Sequence, residues 1–121
     1  MSRAVFQRAT GGRAPRIKVA GLVRLQFATA EEFLVAEAVD LSQSGMFIGG
    51  EEVTLACVGD VVGVHFEVAG ELVIEAVARV ARVVPPGGPF TPGIGVAFMK
   101  MGRDIEELIL HYVEAGLSRP E

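Results

Sequence analysis

Asp40-Leu41-Ser42-Gln43-Ser44-Gly45, followed directly by Met46-Phe47-Ile48, is a polar turn set between two apolar runs, 32–41 and 45–48. A polar stretch in that position joins two strands. Asp40 and Ser42 stand two residues apart, so in extended backbone they project to the same side. A carboxylate and a hydroxyl placed together can read the N–H edge of a purine. Gly45 allows a positive φ and a close backbone approach. The alternative is structural: an Asx-turn and a Ser turn that organise the hairpin.

The chain around this turn alternates with period two. Val19, Gly21, Val23, Leu25 and Phe27 share a face opposite Arg24 and Gln26, which predicts a strand over 19–27. Residues 32–41 predict a second strand of poor alternation. Leu34, Ala36 and Ala38 oppose Phe33, Val35 and Val39 there, so both faces are expected to be covered. Residues 45–48 form a short third strand, and Gly49-Gly50-Glu51-Glu52 a loop. In 61–68, Val62, Val64, Phe66 and Val68 point inward, and Ala69-Gly70 reads as a hairpin turn. The strand 71–84 places Leu72, Ile74, Ala76, Ala78 and Val80 inward, and Arg82 would break that face. A bulge is therefore expected near Val80–Arg82. The Pro-Gly loop 85–89 precedes a last strand, 93–99. From Asp104 to Gly116, Ile105, Leu108, Ile109, Tyr112 and Ala115 form one stripe at helical spacing. The whole predicts a mainly β protein: a six-stranded antiparallel barrel whose open edge a C-terminal amphipathic helix plugs.

With 121 residues, half of them hydrophobic, there is room for one core. Residues 1–15 read as a flexible basic N-terminal arm, 16–116 as the barrel domain with its helix, and 117–121 as a tail. The single cysteine, Cys57, excludes an internal disulfide and a cysteine-based zinc cage. Its neighbours Ala56 and Val58 suggest a small buried side chain. Residues 1–18 have no apolar core of a signal peptide, and no run approaches the roughly 18 apolar residues of a membrane span. A cytoplasmic location is expected. His65 and His111 read as surface residues with no metal-ligand partners at suitable spacing. No nucleophile elbow or phosphate-binding loop is present, so neither enzyme activity nor a cofactor is expected.

Charge is divided along the chain. Arg3, Arg8, Arg13, Arg16, Lys18 and Arg24 all precede the first acid, Glu31. The first thirty residues carry +6 and the remainder −10. Such a split suits one segment meeting an anion. The acidic body would be repelled by a long polyphosphate, so a small phosphate ligand fits better than duplex nucleic acid. An oligonucleotide-binding barrel is a weaker reading, because aromatics make up only 7% of the chain.

The pattern D-x-S-x-x-G over Asp40, Ser42 and Gly45, with a hydrophobic pair after the glycine, resembles the second signature of PilZ domains. Pro92-Gly93-Ile94-Gly95-Val96-Ala97-Phe98 is similar to the family's G-x-G-V-x-F strand. The resemblance covers residues 13–116. It implies a receptor for the bacterial second messenger cyclic di-GMP, acting on a protein partner in motility, exopolysaccharide synthesis or transcriptional control. The ligand-binding residues it implies are Arg13, Arg16, Asp40, Ser42, Gly45 and Gly95. The first signature, R-x-x-x-R, is incomplete: with Arg16 as its second arginine, Gly12 stands at the first. Two arginines suit a doubly charged ligand, because guanidinium forks pair with phosphate and stack on bases. The alternative is a PilZ-fold adaptor that has lost nucleotide binding and works through protein contacts. A homodimer or docked partner is also expected, provided Val73, Val77 and one face of strand 32–41 adjoin in a contiguous apolar patch.

Overall fold

The computed structural model describes residues 16–28, 33–68 and 72–118. Its strands are β1 (Arg16–Lys18), β2 (Leu22–Phe27), β3 (Leu34–Ser42), β4 (Gly45–Gly49), β5 (Val61–Val68), β6 (Leu72–Val84) and β7 (Gly93–Lys100). One helix, α1 (Arg103–Ser118), closes the chain, and a short 3-10 turn at Glu52–Leu55 follows β4. Every strand pairing is antiparallel. The sheet runs β3-β2-β5-β6-β7-β4, and β4 pairs back to β3, which closes a six-stranded barrel. The small β1 adds to β3 alongside β2. The 19–27 strand of the sequence reading is β2, which starts at Leu22 after a bend at Gly21, and β1 is a further short strand before it. Gly21 has φ +147° and lies so close to Phe66 that a Cβ would sit 3.0 Å from its ring.

The core is the inward stripe of each strand. Val23 and Leu25 come from β2, Val62, Val64 and Phe66 from β5, Ile74 to Val80 at alternate positions from β6, and Ile94 and Val96 from β7. Two bulges correct the alternation. On β3, Ala38 faces Ile48 and Asp40 faces Phe47, so Val39 is the extra residue. Ala38 and Leu41 are therefore both buried, while Asp40 turns outward. The poor alternation of 32–41 is this bulge and not a strand covered on both faces: Val35 is 53% exposed. On β6, Val80 faces Val96 and Arg82 faces Gly95, so the expected bulge falls on Ala81.

Barrel closure leaves no open edge for the helix to plug. Instead α1 packs on β1, β3 and β6 through Ile109 and Val113, both buried, with Ile105 and Tyr112 beside them. The stripe is turned relative to the one read from sequence, since Leu108 is 49% exposed and Ala115 is exposed. Cys57 is exposed as well. It belongs to a turn in which its amide donates to Asp60 Oδ2 at 2.9 Å; of its apolar neighbours Val58 is exposed and only Ala56 packs against the core. No helix among the described residues is long and apolar enough to cross a membrane. The expected arm 1–15 and the Ala69-Gly70 turn lie outside the described residues.

Candidate functional site

The bulge at Val39 sets the site. It moves Asp40 onto the outer face of the barrel, opposite Lys18 of β1 on one side and Phe47 of β4 on the other. Phe47 in turn faces Gly95 of β7, and Gly95 faces Arg82 of β6. One cross-strand row therefore runs Lys18, Asp40, Phe47, Gly95, Arg82 over the outside of the barrel. Cross-strand neighbours on one face are close enough to interact directly.

Asp40 is the hub of the row. Its Oδ1 accepts the Phe47 amide at 3.1 Å and the Arg16 guanidinium at 2.5 Å. Arg16 and Asp40 are 37% and 25% exposed, so the pair is reachable by a ligand and its own Coulomb energy is partly screened. Asp40 Oδ2 accepts no hydrogen bond from the described residues. Arg16 and Asp40 belong to different sequence signatures, and the β1–β3 pairing brings them together. Arg13 and Gly12 lie outside the described residues.

Ser42 does a different job from Asp40. It is fully buried, and its Oγ accepts the amides of Ser44 and Gly45, each at 3.2 Å. The same Oγ lies 3.2 Å from Ser44 Oγ and donates to the Gly45 carbonyl at 3.3 Å. The hydroxyl is spent on the turn. Gly45 does not take a positive φ. Its need is space: a Cβ there would run into the Val96 carbonyl oxygen of the neighbouring strand.

Gly95 also gives space, on the outer face. A Cβ there would lie 3.2 Å from both Cγ and Nε of Arg82. The missing side chain lets Arg82 lie flat across β7, with its guanidinium carbon 5.2 Å from the Phe47 ring centroid, a cation–π contact. Asp40, Phe47, Arg82, Val84, Phe90 and Thr91 line a hollow of about 280 Å³ here. Sequence reasoning missed Arg82, Phe90 and Thr91 as site residues. The available signal was Arg82 itself, a cation breaking an inward apolar stripe.

A larger hollow of about 500 Å³ lies on the outer face of β2, β5 and β6, where Gly63 leaves a gap in the row Gln26, Gly63, Val77. None of the motif residues lines it. His65 borders it, with Nδ1 3.0 Å from Glu75 Oε2, and no group of acids, histidines and cysteines among the described residues is arranged to hold a metal ion. The expected apolar patch does not form. Val35 on β3 and Val73 and Val77 on β6 are separated by β2 and β5, which carry Arg24, His65 and Glu67 on that face.

Comparison with known proteins agrees with the barrel. The structure is similar to the inhibitor of motility MotI/DgrA of Bacillus subtilis, with a TM-score of 0.72 and 15% identity over 85% of this chain. The chain spans 49% of the length of that protein. It is similar to the PilZ domain of YcgR from Escherichia coli, a structure with c-di-GMP, at TM-score 0.65 and 17% identity, covering 87% of this chain and 90% of that one. It is also similar to the PilZ domain of CeSA from a cellulose-synthesizing bacterium, at TM-score 0.59 and 19% identity, covering 83% and 95%. At these identities the likeness is one of fold. No curated protein sequence matches the chain. The PilZ domain family model, however, matches residues 12–115, which take in both the Arg16–Asp40 contact and the Gly-Ile-Gly strand, and the chain therefore belongs to the PilZ domain family.

Proposed function

We propose that this domain is a regulatory receptor that binds cyclic di-GMP and passes the signal to a protein partner. The observation that carries the reading is the Arg16–Asp40 contact: a cation and a carboxylate, far apart in sequence, held on one exposed spot of the barrel wall. Asp40 Oδ2 supplies the acceptor for the N–H edge of a guanine, and Arg16 supplies a planar fork for a phosphate or a base face. Ser42 and Gly45 hold the turn from which Asp40 projects, and Gly95 keeps the outer wall of β7 free of a side chain. Arg13 supplies a further cation to the ligand. The domain acts by binding and not by catalysis. The structure of YcgR with c-di-GMP and that of an inhibitor of motility, both of this fold, support a regulatory role.

Calorimetry with cyclic di-GMP tests the reading. We expect a Kd of about 10 µM, near −7 kcal/mol, weaker than with a complete arginine signature. Asp40→Ala should weaken binding at least ~10-fold, the size of one lost charge-assisted contact. Absence of heat and of chemical-shift change at millimolar ligand would overturn it. A second reading, an adaptor without a nucleotide, is favoured by Gly12 in the place of the first arginine. Under the receptor reading Gly12→Arg tightens binding; under the adaptor reading the wild-type chain shows none.

A further inference from the structure

We propose that Arg82 is a base-stacking residue of the nucleotide site, set across the hollow from Asp40. This assignment rests on the reading of the site as one for cyclic di-GMP. Three features of the fold prepare Arg82 for that task. The bulge at Ala81 turns it outward, where unbroken alternation from Val80 would have driven a guanidinium into the core. Gly95 leaves a trough in which the aliphatic stem lies flat. Phe47, only 8% exposed, is packed over Gly93, where a Cβ would come within 2.9 Å of the ring, so the ring is a fixed support.

The guanidinium rests on that ring at 5.2 Å and forms no ion pair with any carboxylate among the described residues. This is notable in a chain segment of net charge −10, where a mobile arginine has many acids to choose from. One planar face of the guanidinium is covered by Phe47. The other faces the hollow that Asp40 borders and Phe90 rims. Phe90 is 73% exposed. A flat cation on an aromatic support beside a carboxylate acceptor fits a purine: Asp40 takes its N–H edge and Arg82 its π-face. A guanine so held completes a stack of Phe47, Arg82 and base. The position offers a second arginine from the barrel wall in a chain that has Gly12 where the first signature expects one.

The test is titration of the full chain with cyclic di-GMP, comparing the wild type with Arg82→Ala, Arg82→Lys and Arg82→Trp at two salt concentrations. Arg82 is exposed, so thermal melts of all variants should match the wild type. Arg82→Ala should weaken binding ~10-fold or more, the scale of one lost base stack. Arg82→Lys should fail to restore it, because an ammonium has the charge without the plane. Arg82→Trp should recover most of the affinity, because the indole has the plane without the charge. Unchanged affinity in Arg82→Ala, with the wild type binding, overturns the assignment and leaves the receptor reading intact. Recovery by lysine and not by tryptophan, with a weakened salt dependence in Arg82→Ala, makes Arg82 a phosphate contact and overturns base stacking. No binding by the wild type overturns both.

Discussion

Asp40 and Ser42 stand in one short motif, yet they meet different physical demands. Asp40 is a quarter exposed, with no described residue bonded to its Oδ2; Ser42 is sealed from solvent and satisfies two backbone amides. Removing a buried acceptor leaves its donors unpaired, which costs more than the hydrogen bond itself was worth. Ser42→Ala should therefore lower stability by about 1–3 kcal/mol in urea denaturation, with any loss of ligand affinity following from the loosened turn. Asp40→Ala should do the opposite: a small change in stability and a large one in affinity. Equal stability losses in the two variants would mean that the motif only builds the hairpin. At Gly45 the sequence suggested a positive φ, and the structure requires a small residue for a different reason. Its place is fixed by the Val96 carbonyl above it and not by its backbone dihedral.

At the scale of elements, two single-residue bulges make the site. Without Val39 as an extra residue, Asp40 would point inward; without Ala81, Arg82 would. Both outer-face groups on the row depend on a local slip in register, because a shift of one residue exchanges the two faces of a strand. The helix shows the same sensitivity to phase. Several apolar residues of α1 are compatible with more than one stripe, and packing on β1, β3 and β6 selects the one through Ile109 and Val113. Ile109→Ala should cost about 2–4 kcal/mol by chemical denaturation, as expected for a fully buried aliphatic. Leu108→Ala, at a half-exposed position, should stay within about 0.5–1 kcal/mol. Comparable losses at both would place the stripe where the sequence alone suggested.

For the whole molecule, the outer face of β2, β3, β5 and β6 bears on the expectation of a homodimer. Its apolar residues are interrupted by charge: Leu22 lies beside Glu37, and Arg24 lies between Val35 and His65. Val73 and Val77 flank Glu75. Scattered exposed apolar residues of this kind are ordinary on a monomer surface, and only a contiguous patch drives pairing. Light scattering at high micromolar concentration should accordingly give the mass of one chain, and Val73→Glu should leave that mass unchanged. A dimer mass that Val73→Glu reduces to a monomer would restore the homodimer.

Neighbour spacing alone located the six barrel strands, the inward stripes of β2, β5, β6 and β7, the terminal helix and the bulge near Arg82. The sequence also contained the second signature of the family and an incomplete first one, with Gly12 at its first arginine. What it left open were facts that depend on which strands lie side by side. Barrel closure through β3 and β4 removed the edge the helix was expected to plug. The separation of Val35 from Val73 and Val77 needed the strand order. So did the meeting of Arg16 with Asp40, and the trough at Gly95 that lets Arg82 reach Phe47. Local periodicity encodes which face a residue takes, but its neighbour across the sheet is chosen by closure of the whole barrel, where long-range pairing decides which distant segments touch.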